Sequence, residues 1–233
     1  MESDTLVKDS VSDSGTIRNR GKIEPYGKTH QLSSTPRSRG RDHAKPILRE
    51  EKKMAVNQLP IETRSLRIRP FEVQDTSAVF ILNNEETART WIPSQVFNDC
   101  DHARSVLQFL ISQYSSPGNP RLGPYVLAIE HRADSALIGH VGFSPFDDEV
   151  EIGFAIAQDY QRQGFATEAI VAGSHWVLKT FALDRILAIT SAVNTASKRT
   201  LERAQFSFEG NKTMLFQGTE QEVSIYTLSA KFR

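Results

Sequence analysis

Cysteine occurs once, at Cys100, so no intramolecular disulfide framework can form and a reducing compartment is expected. Nothing near Cys100 supplies a dedicated base, so it is not read as a nucleophile. No run of 18 apolar residues occurs, which predicts no membrane-spanning helix. The N-terminus lacks the basic-then-apolar order of a secretory signal, and its acidic residues argue against a transit peptide; the cytoplasm is the expected location. No His, Cys and carboxylate cluster has ligand spacing, so no metal is expected. Net charge is absent too, 28 Lys+Arg balancing 28 Asp+Glu.

That balance hides an asymmetry. Residues 1–53 hold 12 Lys+Arg against 8 Asp+Glu, a net of +4, and the remainder holds 16 against 20, a net of −4. The first 53 residues carry only scattered apolar side chains (Val7, Val11, Ile17, Ile23, Leu32), too little to offset the entropy of ordering them. They read as a disordered basic tail or leader, with the folded domain over 54–233. Charges of both signs are interspersed along the tail, so it is read as solvated, and nucleic acid is not the expected partner. Met54 also has the character of a start site.

Beyond the tail, hydrophobic patterning switches on. Ser65–Pro70 alternates apolar and polar residues and predicts a strand. Asp75 is placed to cap a short helix, and Asp101–Tyr114 puts Val106, Leu107, Phe109, Leu110 and Ile111 at helical spacing. Tyr125–Glu130, Ala136–Phe143 and Val150–Ala157 follow closely enough to predict an antiparallel meander. A long helix is predicted over Gly164–Thr180, with Ala169, Ile170, Gly173, Trp176 and Val177 as its packing stripe. Arg185–Ala192 is a nearly continuous apolar strand, Asn194 or Thr195 caps a helix to Ala204, and Phe206–Phe216 with Val223–Leu228 form a closing hairpin. The class is α+β, with a β-α-β crossover between the meander and the hairpin.

The chemistry sits where a strand enters the long helix, at Gln161-Arg162-Gln163-Gly164-Phe165-Ala166. A helix N-terminus leaves N–H groups unpaired and is positive, so it suits an anion; glycine lets the backbone come close, and Arg162 adds charge at the rim. Diphosphate fits such a nest. The Walker pattern fails because no Lys-Ser/Thr follows, and the dinucleotide fingerprint fails because three glycines in a parallel unit are missing.

Read with Glu151-Ile152-Gly153-Phe154 before it and Ala166-Thr167-Glu168-Ala169 after it, this turn closely resembles the central motif of the GNAT acetyltransferase superfamily. Asn194-Thr195-Ala196-Ser197 resembles that family's Asn-x-x-Ser segment. Glu62–Pro70, Trp91-Ile92-Pro93 and Leu137–Phe143 resemble the subgroup of ribosomal-protein N-terminal (RimJ/RimL-type) acetyltransferases. The resemblance implies a mixed, mostly antiparallel sheet of about seven strands, splayed between the fourth and fifth and flanked by about four helices. It implies acetyl-CoA as co-substrate and no metal. Backbone amides of Arg162, Gln163, Gly164, Phe165, Ala166 and Thr167 would hold the pyrophosphate. The strand carrying Phe154, Ala155 and Ile156 would pair with the pantetheine arm, and Asn194 would hydrogen-bond its end, with Ser197 close by.

The implied reaction is direct attack of a neutral amine on the thioester. Glu151 would accept the proton, or is a surface carboxylate at a strand start; both readings stand. An N–H near Phe154 or Ala155 would stabilise the oxyanion. Many relatives carry a tyrosine acid where this chain has Leu201, leaving Ser197, a water or no acid. The usual Gly-Phe after that helix is Gln205-Phe206, and a left-handed Gln205 would cost ~1 kcal/mol against glycine. His140 and His175 read as structural imidazoles, and Glu168 as favouring the helix dipole. The resemblance implies a protein N-terminal amine as acceptor, with a small-molecule amine (polyamine or antibiotic) or a non-catalytic acyl-CoA-binding module as alternatives. A homodimer is left open.

Overall fold

The computed structural model describes residues 59–115 and 118–230; the expected tail over 1–53 and the domain start at 54 lie outside the described residues. Its frame is one sheet of eight strands, β1 (Ile61–Glu62), β2 (Leu66–Pro70), β3 (Tyr125–His131), β4 (Leu137–Phe146), β5 (Glu149–Ile156), β6 (Arg185–Ser191), β7 (Ser207–Phe216) and β8 (Thr219–Ser229), in the order β1-β2-β3-β4-β5-β6-β8-β7. All neighbours are antiparallel except β5 and β6. Five α-helices accompany it: α1 (Thr76–Asn84), α2 (Glu86–Trp91), α3 (Cys100–Gln113), α4 (Phe165–Thr180) and α5 (Thr195–Arg203). The extra strand is β1, only two residues long. The extra helix is α2, whose six residues, Glu86-Thr-Ala-Arg-Thr-Trp, offer one buried side chain, Ala88, and so no apolar period to read.

Alternation along the strands sorts side chains onto two faces. On one face Leu66, Ile68, Val141, Phe143, Val150 and Ile152 meet α4 and α5 in the larger core. The predicted stripe of α4 is buried throughout, and Gly173 lets that helix sit on Phe143, whose Cζ would be 3.3 Å from an added Cβ. On the other face Phe71, Val126 and Ala128 pack against α1 and α3 through Val79, Val106, Leu107 and Leu110. Phe109, expected in the α3 stripe, is instead 37% exposed.

Asp75 stands before α1 without capping it through its side chain. Its carboxylate is committed to Arg69, at 2.9 Å from both terminal nitrogens, and to the Glu72 N–H at 2.8 Å. Arg69 also reaches Glu130 at 2.7 Å, and these two carboxylates hold its guanidinium protonated above its ordinary range against the cost of burial. Among the described residues, no helix is long and apolar enough to cross a membrane.

Candidate active site

A parallel strand pair that stayed in register would seal the sheet between β5 and β6. Here the two strands pair at one position only, Glu151 with Leu187, and then diverge. This is the predicted splay, between the fifth and sixth strands once β1 is counted. Glu151 stands at its base. Val150 and Ile152 on either side enter the α4/α5 core, so Glu151, Gly153 and Ala155 look out of the opposite face. Gly153 is exposed, and a Cβ added there would meet nothing within 4 Å. The floor beside Glu151 is therefore open backbone.

Burial dominates the electrostatics of Glu151. Its carboxyl is pushed up from the usual 4.5 to about 8 by desolvation, and the backbone N–H of Ile189 on the diverging strand eases this only in part. Among the described residues, Glu151 has no ion-pair partner. The acidic neighbours do not share its environment: Glu149 is tied to Arg185, while Asp147 and Asp148 form the β4–β5 turn. His140 lies on the same face of the sheet, opposite Ala155, but is 7% exposed, and desolvation lowers its pKa to about 4. It is a neutral packed imidazole. His175 is exposed on α4.

At the far end of β5 the chain turns through Gln161–Gly164 into α4. Arg162 has φ 62° and Gly164 φ 89°, so two left-handed residues aim this short segment. Glycine takes that conformation without a Cβ penalty, whereas Arg162 does so at ~1 kcal/mol. The first helical donation is Glu168 N–H to the Gly164 carbonyl at 3.0 Å, so the N–H groups of Phe165, Ala166 and Thr167 precede it and lie free of the helical ladder. Nothing lies within 4 Å of the Cβ that Gly164 lacks. The cradle thus has donors, a positive helix end and room for a diphosphate. Glu168 does not point into it: its Oε1 accepts from the Ser65 N–H at 2.7 Å, and this bond, the Thr63 hydroxyl and the Arg64 charge outweigh burial and lower its pKa.

The third piece is the start of α5. Asn194 caps it, Oδ1 accepting from the Ser197 N–H at 3.0 Å, which orients the carboxamide and leaves its Nδ2 donors available to a ligand. Ser197, half-buried, lies in the first turn of α5, on the face of the sheet opposite Glu151. Leu201 is 1% exposed in the core. The end of α5 is a Schellman cap: Phe206 N–H donates to Leu201 O and Gln205 N–H to Glu202 O, each at 3.0 Å, with Gln205 at φ 67°. The left-handed residue expected there is present without glycine.

Contacts that no motif announced frame the site. Ser94, in the 3-10 turn Pro93–Gln95, donates through Oγ to Oε1 of Gln217 at the tip of the β7–β8 hairpin, 123 residues away. This joins the turn after α2 to the last hairpin of the sheet. Glu85 Oε2 accepts from the Gln158 N–H at 2.8 Å, tying the α1–α2 junction to the end of β5. Among the described residues, no group of His, Cys, Asp and Glu is arranged to hold a metal.

Known proteins are similar in sequence and in fold. The uncharacterized N-acetyltransferase YnaD of Bacillus subtilis is 30% identical over 152 residues, covering 64% of this chain and 84% of YnaD. YoaA, another uncharacterized N-acetyltransferase of the same organism, is 28% identical over 173 residues, covering 72% of this chain and 95% of YoaA. The solved structure of RimL, a ribosomal α-N-protein acetyltransferase in complex with coenzyme A, superposes with a TM-score of 0.62 at 17% identity, over 73% of this chain and 97% of RimL, and so shares the fold. Residues 65–207, more than half of the chain, match the acetyltransferase (GNAT) domain family, and the protein therefore belongs to the GNAT acetyltransferases.

Proposed function

We propose that this protein is an acetyl-CoA-dependent N-acetyltransferase that moves an acetyl group directly onto a primary amine, the α-amine of a protein N-terminus. One observation carries the reading: a lone carboxyl, Glu151, at the base of the splay, desolvated to a pKa of about 8 and facing an open backbone floor at Gly153. A general base works best with a pKa near the operating pH. An α-amine has a pKa of about 7.7–8.0, so proton transfer to Glu151 is nearly balanced, whereas an aliphatic amine of lysine type, near 10.4, would resist it.

The cofactor side follows from the same geometry. The N–H groups of Phe165, Ala166 and Thr167, with Arg162, Gln163 and Gly164, receive the pyrophosphate, and β5 from Phe154 to Ile156 offers its free edge to the pantetheine arm. Asn194 Nδ2 donates to that arm. As the amine nitrogen bonds to the acetyl carbon, Glu151 takes the proton, an N–H of Phe154 or Ala155 supports the carbonyl oxygen, and the carbon–sulfur bond breaks. The departing thiolate is protonated from Ser197 or water, since Leu201 has no proton to give.

The test is an acceptor panel of N-terminal peptides, spermidine and an aminoglycoside, with acetyl-CoA and thiol release as readout. We expect the peptides to have the highest kcat/KM; a preference for spermidine or the aminoglycoside would overturn the acceptor. We also propose that residues 1–53 are an appendage, so that removing them leaves the Kd for CoA within twofold.

A further inference from the structure

The phosphate turn is short and carries an L-residue, Arg162, in the left-handed region, so something must hold it in shape while no ligand is bound. The residues that do so come from the opposite edge of the meander. Just before the turn, the Tyr160 hydroxyl donates to Asp134 Oδ2 at 2.9 Å. Oδ1 of the same carboxylate meets His131 Nδ1 at 3.0 Å and the Ala136 N–H at 3.1 Å. Just after the turn, the Phe165 ring packs on the His131 ring at 5.0 Å, and Tyr160 lies 5.6 Å from that imidazole. One turn into α4, Glu168 holds the Ser65 N–H, and Ser65 O accepts from the Arg132 N–H at 2.9 Å. The chain from Tyr160 to Phe165 is thus gripped at both ends by the β3–β4 turn, some 26 residues upstream of Tyr160.

We infer that Tyr160, Asp134 and His131 are positioning residues that preset the phosphate turn for the cofactor. The inference rests on the proposed CoA site. Asp134 is exposed, and Tyr160 packs only at the margin of the larger core and on Phe165, so Tyr160→Phe keeps that ring packing and removes only the hydroxyl. A turn already in its bound shape loses less freedom on binding, which is how a group without ligand contact raises affinity.

The experiment is calorimetric titration of CoA into the full chain and its Tyr160→Phe, Asp134→Asn and doubly substituted forms, together with amide hydrogen exchange without ligand. Loss of one charge-assisted hydrogen bond predicts a Kd for CoA raised about fivefold to tenfold in either single variant. Because the two groups act as one device, the double variant should match the singles and not their product. Exchange should quicken in the segment 158–166 in both single variants, and outside it only at the β3–β4 turn in Asp134→Asn, where the Ala136 N–H bond is also weakened. An unchanged Kd, multiplicative effects, or faster exchange across the whole domain would overturn the inference. If the unsubstituted protein binds no CoA, the site itself has been misread, a result distinct from binding that the substitutions leave alone.

Discussion

Replacing Glu151 by glutamine keeps the side chain's shape and an oxygen toward the Ile189 N–H, and removes only the ability to ionise. Two consequences follow, with opposite signs. The folded-state pKa is raised, so the contribution of Glu151 to stability is fully present below the unfolded value near 4.5 and is lost as pH rises through about 8. At 1.36 kcal/mol for each factor of ten in proton affinity, the rise from 4.5 to about 8 caps that loss at ~5 kcal/mol, and partial solvent access brings the expectation to about 3 kcal/mol. Glu151→Gln should therefore match the wild-type melting temperature at pH 4.5 and exceed it by ~6–12 °C at pH 9, for a domain of this size. Activity should move the other way. General-base loss costs on the order of 10²-fold or more in kcat. The acceptor's own titration is common to both proteins, so the ratio of wild-type to variant kcat/KM isolates Glu151. It should climb about tenfold per pH unit from pH 6 and level off above 8. Parallel profiles from pH 6 to 9, with melting curves that never diverge, would refute both the burial and the role.

The cradle and the helix caps give the remaining predictions. Gly164→Glu puts a carboxylate where the diphosphate binds, and titration should show CoA affinity reduced by at least ~100-fold; Gly164→Ala, strained only by its φ of 89°, should cost about 1 kcal/mol of stability in urea melts. Arg162→Gly relieves the left-handed strain and removes a rim charge, so the midpoint should rise by ~0.5–1 kcal/mol while the Kd for CoA weakens about threefold and depends less on salt. Gln205→Gly should stabilise the Schellman turn of α5 by ~0.5–1 kcal/mol in the same melts, with cofactor affinity unchanged.

Most of the fold was legible because its elements carry period. The stripe of α4 and the alternation of β2 each bury the residues their spacing selects. The two elements that stayed hidden, β1 and α2, are held by neighbours: β1 by its pairing with β2, and α2 by its position between α1 and the Pro93–Gln95 turn. Asp75 was misread for a related reason. A carboxylate before a helix looks like a cap, and only the fold brings Arg69 close enough to claim it.

The site divides along the same line. Its proposed cofactor half is local backbone, a strand end, a left-handed glycine and a helix start; the six residues of the turn read as an anion nest, and the flanking Glu151–Phe154 and Ala166–Ala169 segments narrow that reading to a CoA pyrophosphate. The contact between the Pro93–Gln95 turn and the β7–β8 hairpin and the proposed buttress of the phosphate turn come from pairs far apart in sequence, Ser94 with Gln217 and Asp134 with Tyr160, which no spacing rule can join. Glu151 lies between the two cases. Its place on β5 could be read, but with Asp147, Asp148 and Glu149 close by in sequence the spacing left two readings open, proton acceptor and surface carboxylate. What sets it apart is its place at the single position where β5 pairs with β6, partly buried and with no cation beside it among the described residues, and that is a property of the sheet, not of the segment.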